Sequence, residues 1–220
     1  MLERVLEAEV MDSQAEAEAY DAMDHGEVNA RFVADMLALG PADGPWLDLG
    51  TGPAHLPVLL ASERANIRIT AVDLAASMLA IARRRVEAAG LMGRITLVRG
   101  DAKAPALGAA RFACVFSNSL VHHLPQPAPF WQACARLLAP GGVLFVRDLA
   151  RPGSLQRRDA LVERYAAGCD DDQRRLFAES LQAAFTPAEV ALQARAAGLA
   201  GAQVAMSSDR HWTLVYRLAV

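Results

Sequence analysis

Trp46-Leu47-Asp48-Leu49-Gly50-Thr51-Gly52-Pro53-Ala54-His55 is the stretch on which the reading of this chain turns. A short apolar run around an acid reads as a buried strand, two closely spaced glycines read as a tight turn, and a helix start follows. Gly50 and Gly52 permit backbone angles, and a close ligand approach, that a Cβ would block. Pro53 suits the first turn of a helix, where its missing N–H costs nothing. A ligand bound at the open end of a sheet lies against such a turn.

Dinucleotides and S-adenosylmethionine (SAM) both use a glycine turn after a first strand, and spacing separates them. The dinucleotide fingerprint G-x-G-x-x-G requires a third glycine at position 55, beside the pyrophosphate, and this chain has His55 there. Carboxylates also end the next strand-like runs: Asp73 in Ile69-Thr70-Ala71-Val72-Asp73, and Asp101 after Ile95-Thr96-Leu97-Val98-Arg99-Gly100. With Asp48 they make an acidic rim. Such a rim suits a sulfonium cation, an amino group, ribose hydroxyls and an adenine amine, and suits two phosphates poorly.

On these residues the chain resembles the class I SAM-dependent methyltransferases of the small-molecule type, which include the quinone-biosynthesis methyltransferases, over residues 45–150 in motif order. The resemblance implies that the turn with Asp48, Gly50, Thr51 and Gly52 carries the methionine part of SAM. It implies that Asp73 holds the ribose hydroxyls, that Asp101 and Ala102 face the adenine with Leu74 and Met78 flanking it, and that Ser117 adds a cofactor contact. Ala54 stands where many members carry a third glycine, a change expected to cost little.

A chain of 220 residues with 53% apolar residues fits a single α/β domain with a substantial core. The net charge is −3, and in the first thirty residues Glu3, Glu7, Glu9, Asp12, Glu16, Glu18, Asp21, Asp24 and Glu27 are opposed only by Arg4. Binding a phosphate backbone needs clustered Lys and Arg, so the expected acceptor is small and not nucleic acid. The start Met1-Leu2-Glu3-Arg4 leads into charged sequence with no signal-peptide core, and no apolar run reaches membrane-spanning length, so a cytoplasmic location is expected. Cys114, Cys134 and Cys169 have neither metal-ligand spacing nor a disulfide framework, and they read as free thiols with no metal site expected.

Upstream of the glycine turn, Asp24 to Glu27 has capping-box spacing before the stripe Val28, Phe32, Val33, Met36 and Leu37. By the resemblance, residues 1–40 form a helical lid, with Tyr20-Asp21-Ala22-Met23-Asp24-His25 folding over the cofactor. Downstream, Leu56, Val58, Leu59 and Leu60 give the apolar side of a first crossover helix, with His55 on its surface. Met78, Ile81, Ala82, Val86 and Ala89 give a second, with Arg83, Arg84 and Arg85 on a solvated face and Gly90 as its stop. Phe130, Trp131, Cys134, Leu137 and Leu138 give a third, ended by Ala139-Pro140-Gly141-Gly142 before the strand Val143–Val146. Arg147 and Asp148 read best as a local salt bridge.

Residues 150–185 exceed an ordinary connection and read as two helices, an insertion that caps the substrate site, with Arg164 and Tyr165 as possible pocket residues. Thr186-Pro187-Ala188-Glu189 is a capping box opening a further helix. Two strands, Ala202 to Met206 and His211 to Leu218, then form an antiparallel hairpin. The expected fold is therefore a Rossmann-like seven-stranded sheet with an antiparallel last strand, helices on both faces and a helical cap.

The fourth strand, Phe112–Phe116, runs into Ser117-Asn118-Ser119-Leu120-Val121-His122-His123-Leu124, a loop at the carboxyl end of a central strand where open α/β sheets bind ligands. Methyl transfer is an in-line displacement, so an enzyme supplies alignment, water exclusion and in some cases a base. His122 or His123 could be that base; the alternative is that they cap the loop. The expected function is methyl transfer from SAM to an O, N or C nucleophile of a small organic acceptor. The alternatives are a noncatalytic SAM-fold partner or regulatory subunit and, more remotely, a protein or RNA methyltransferase.

Overall fold

Alternation along the strands explains the layering. In strand β1 (Gly44–Leu49), Trp46 faces one side of the sheet and Leu47 and Leu49 the other; in strand β4 (Phe112–Asn118), Cys114 and Phe116 oppose Val115. Both faces of these strands are buried, as a parallel sheet covered by helices requires. The computed structural model describes residues 2–7, 13–22 and 26–220. With β2 (Ile67–Asp73), β3 (Ile95–Arg99), β5 (Leu138–Leu149), β6 (Gln203–Met206) and β7 (His211–Arg217), the strands form one sheet in the order β3-β2-β1-β4-β5-β7-β6. β1 to β5 pair in parallel, and β7 pairs antiparallel with both β5 and β6.

Helices α2 (Gly26–Ala38), α3 (His55–Glu63) and α4 (Ala76–Ala88) cover one face, where Phe32, Met36, Leu60 and Val86 pack with Trp46, Phe116 and Phe145. Helices α5 (Ala128–Leu137) and α8 (Pro187–Ala196) cover the other, where Phe130, Trp131, Leu137 and Val190 meet Leu47, Val115 and Leu144. The crossover between β1 and β4 lies where the strand order reverses, so the carboxyl ends of these two strands open the crevice in which such sheets bind ligands. Helix α1 (Gln14–Asp21) lies against α4, with Ala17 buried beside Met78 and Ile81.

The segment 150–185 folds as two helices, α6 (Leu155–Tyr165) and α7 (Asp171–Ala183), with their own small core of Leu161, Val162 and Leu181 against Leu149. Asp170 caps α7 with a reciprocal bond to Gln173, and the capping box from Thr186 to Glu189 opens α8. The last hairpin spans Gln203–Met206 and His211–Arg217.

Three local expectations change. Pro53 lies in the turn and not in the first helical turn, because α3 begins at His55. Leu59 turns outward and is 39% exposed. Ala139-Pro140-Gly141-Gly142 does not separate helix from strand: β5 begins at Leu138, which pairs with Phe112 before the register jumps to Cys114 opposite Val143. That excursion is a bulge, with Gly141 at φ 74°. The spacing from Asp24 to Glu27 and the lid residues Met23, Asp24 and His25 fall outside the described residues. Among the described residues, no helix is long and apolar enough to cross a membrane.

Candidate functional site

The glycine turn is built from backbone. Gly50 and Gly52 have φ of 78° and 52°, the left-handed region that glycine adopts without steric cost. The amides of Gly50 and Thr51 donate to the Val72 carbonyl at 2.8 and 2.9 Å, which ties the end of β1 to the end of β2. Asp73 completes the clamp: its carboxylate accepts from the Gly52 amide at 2.7 Å and from the Ala75 amide at 2.9 Å. A Cβ added at Gly50 would stand 2.8 Å from the Leu120 side chain, so this glycine also lets the loop after β4 close onto the turn.

Asp48 is buried beneath the turn at 2% exposure. Burial pushes its carboxyl up to about 7; the Thr51 side chain opposes the shift and the negative Asp73 adds to it. A cationic ligand at this edge would favour its ionised form. Asp101 follows β3 and accepts from the Lys103 amide at 2.8 Å, with Ala102 buried beside it. Leu74 is exposed at the rim and Met78 is buried on α4 with Ala75. Ser117 is different: its fully buried hydroxyl donates to the Leu49 carbonyl at 2.7 Å, so it joins β4 to β1 and is not directed into the crevice.

Helix α1 is tied to this end by charge. Arg85 pairs with Asp21 at 2.7 Å and donates to the Pro53 carbonyl at 2.6 Å, while His55 Nε2 lies 3.1 Å from Asp21. Arg83 and Arg84 are solvated, as their run suggested, but Arg85 is a strut between α1 and the glycine turn. Tyr20 packs on the Met78 cluster, and burial, with the charges of Asp148 and Asp73, pushes its phenol up to about 12.

The other end is built from side chains. Beyond β4, Ser119 takes φ 53° and its amide donates to the Arg147 carbonyl, turning the chain into a 3-10 turn, Val121–His123. His122 is buried at 4% exposure, with Nδ1 2.5 Å from Asp148 Oδ1 and its amide donating to Asp148 Oδ2 at 3.1 Å. Burial pulls the imidazole down, but Asp148 and then Glu7 outweigh it and hold His122 above its ordinary value. Burial raises Asp148, yet His122 and two backbone amides leave it below the usual carboxylate range. An ionised Asp148 only accepts, so Nδ1 of His122 donates and Nε2 faces away. Glu7 lies on that side, 3.4 Å from His122 Nε2 and 3.0 Å from His123 Nδ1.

The segment 2–7 is fastened there. Arg4 donates to the carbonyls of Ala183, His122 and Leu124 at 2.5, 3.0 and 3.0 Å and lies over the Phe185 ring, while Glu7 accepts from Ser180 at 2.9 Å. Arg147 and Asp148 do not pair with each other. They are adjacent in a strand and point to opposite faces: Arg147 reaches Asp35 at 2.6 Å and Thr213 at 2.8 Å, and Asp148 reaches His122. Arg164 and Tyr165 bond Asp209 in the last hairpin and are committed there. Sequence reading missed Glu7, Arg4 and Asp148 as partners of the histidine turn; the strand alternation at Arg147 and Asp148 was the one available signal.

Residues 47–146 match the family model for a methyltransferase domain. The sequence is 32% identical to a ubiquinone biosynthesis O-methyltransferase of Caulobacter vibrioides over 56% of this chain and 48% of that protein. It is 30% identical to a trans-aconitate 2-methyltransferase of Methylobacterium nodulans over 70% and 57%. The chain thus spans about half the length of the curated relatives it matches. The fold superposes on a phosphoethanolamine N-methyltransferase of Haemonchus contortus, solved with S-adenosyl-L-methionine, at TM-score 0.70 and 17% identity, covering 94% of this chain and 57% of that one. The methyltransferase-domain match over residues 47–146, the curated relatives and the shared fold together indicate a class I SAM-dependent methyltransferase with SAM as its cofactor.

Proposed function

We propose that this protein transfers a methyl group from SAM to an O, N or C nucleophile of a small organic acceptor, releasing S-adenosylhomocysteine (SAH). The observation that carries the reading is the Asp73 clamp: one carboxylate fastens both turns at the rim of the crevice, next to the buried acid Asp48. The residues fit the cofactor. Asp48, Gly50, Thr51 and Gly52 would hold its methionine end, Asp73 its ribose, and Leu74, Met78, Asp101 and Ala102 its adenine; when bound, SAM supplies an electrophilic methyl on a sulfonium. The turn from Ser119 to His123 and the helices of 150–185 orient the acceptor. His122, oriented by Asp148, and its neighbour His123 would manage a proton there. The acidic balance of the chain favours a small acceptor over a nucleic acid, and the free thiols accord with a cytoplasmic setting.

Calorimetric titration of SAM and SAH tests the reading. Asp73→Ala should weaken SAM by about 1.5–3 kcal/mol through lost ribose hydrogen bonds. Unchanged affinity would remove Asp73 from that role, and no binding by folded wild-type protein would overturn the proposal.

A further inference from the structure

Three side chains of the metal-ligating kind converge at the histidine turn. Glu7 Oε1 and His123 Nδ1, both screened from solvent, stand 3.0 Å apart as an ion pair. His122 Nε2 lies 3.4 Å from the same carboxylate oxygen, and the three atoms fall within 4.8 Å of one another. We propose that Glu7, His122 and His123 form a binding site for a divalent transition cation of the zinc type.

Two of the spacings, 3.0 and 3.4 Å, are those of a ligand set, and the two histidine nitrogens lie within 4.8 Å of each other. With bonds of about 2.0–2.1 Å and angles of about 90–110°, ligand atoms around zinc stand roughly 3.0–3.4 Å apart. Two imidazoles and one carboxylate are the donors that select zinc and its neighbours over magnesium or calcium, which prefer all-oxygen sites. The surroundings support the set. Asp148 accepts from Nδ1 of His122 and from its amide, which fixes the ring with Nε2 facing Glu7, the arrangement by which a carboxylate orients a metal-bound histidine; Nε2 gives up its proton when a cation binds. Ser180 holds the other oxygen of Glu7, so the carboxylate presents Oε1 alone.

Charge is compatible. Glu7 and Asp148 supply two negative charges against the one positive charge of Arg4, whose guanidinium is spent on the carbonyls of Ala183, His122 and Leu124. Three protein ligands leave at least one coordination position open, and the class of ligand it takes is an oxygen donor: water, or a hydroxyl or carboxylate of a bound small molecule. The site also gives the segment 2–7 a purpose beyond packing, because Glu7 is the only one of the three ligands from outside the histidine turn. The site differs from the sequence expectation, which foresaw no metal.

The inference does not depend on methyl transfer, and its test reads the metal directly. The full chain, stripped with EDTA and dialysed, is titrated with ZnCl2 by calorimetry and with CoCl2 by visible absorption. One equivalent of Zn2+ should bind, and Co2+ should give the d–d bands of a low-coordinate nitrogen and oxygen site. Glu7→Gln and His123→Gln should each weaken Zn2+ at least tenfold, and Asp148→Asn about tenfold to a hundredfold. Glu7→Gln is the decisive variant, because it replaces one carboxylate of the segment 2–7 by an isosteric amide and leaves the sheet untouched; unchanged circular dichroism confirms its fold. No stoichiometric binding, or binding equally tight in Glu7→Gln and His123→Gln, overturns the site and leaves an ion-pair cluster. SAM titration in EDTA keeps that failure distinct from a failure of the cofactor reading.

Discussion

The crevice has two ends built on different principles. At the glycine turn, the backbone amides of Gly50, Thr51, Gly52 and Ala75 are met by one carbonyl and one carboxylate from β2 and its following turn, so the geometry is set by two short segments. At the histidine turn, residues 4, 7, 122, 123, 148 and 180 are held together by charge and side-chain hydrogen bonds from four separate parts of the chain. Among the described residues, the two non-glycine positions with left-handed backbone are Ala54 and Ser119, one at each end. The lesson is that a turn set by local backbone bonds and a turn assembled by charge from distant segments are separable, and mutations should separate them.

The largest effect should come from Asp148→Ala, which leaves a buried histidine without its partner. Urea denaturation in EDTA should show a loss of about 3–5 kcal/mol. The pH dependence has a definite sign. His122 is raised, so its contribution is present below the ordinary imidazole value and fades as pH rises through the folded value; Asp148 is lowered, so its contribution is present above the ordinary carboxylate value and fades as pH falls. The pair should therefore stabilise most between about pH 4 and 6.5, and the variant should flatten the stability profile there. A variant profile parallel to wild type would mean the pair is not ionised.

Gly50→Ala strikes the other end. It places a Cβ against Leu120 and forces alanine to φ 78°, for an expected loss of about 2 kcal/mol and weakened SAM binding, while the pH profile from His122 and Asp148 stays as in wild type. A changed profile would show the two ends coupled through Leu120.

The smallest effect sharpens the comparison at Ala54, where φ is 61° and the methyl is fully buried. Relief of left-handed strain by glycine gains about 1–2 kcal/mol, while the extra chain entropy costs about 0.5–1 and the lost methyl about 0.8. Ala54→Gly should thus shift stability by less than about 1 kcal/mol in thermal melts. The alanine is strained, and it is tolerated because packing offsets the strain; a gain above 2 kcal/mol would mean that offset is absent.

Legibility followed the same division. The apolar run Trp46–Leu49, the paired glycines and the carboxylates Asp73 and Asp101 announced the turn because each acts within a few residues of itself. The capping boxes at Asp170 and Thr186 were readable for the same reason. Arg85 was misread because an Arg run on a helix gives no hint of a partner sixty-four residues away. Ser117 was placed at the right strand end, but which way its hydroxyl turns depends on where the Leu49 carbonyl lies. Arg147 and Asp148 were joined by adjacency when strand geometry sends them to opposite faces.

By itself the sequence determined the parallel sheet, its antiparallel ending and the acidic glycine turn, because hydrophobic period and turn chemistry are properties of neighbouring residues. Only the tertiary structure decided that His122 belongs to Asp148, that Glu7 stands over both histidines and that Arg85 braces the turn. Those pairings depend on distance in space, and Coulomb attraction and hydrogen bonding carry no mark of it in the order of the chain.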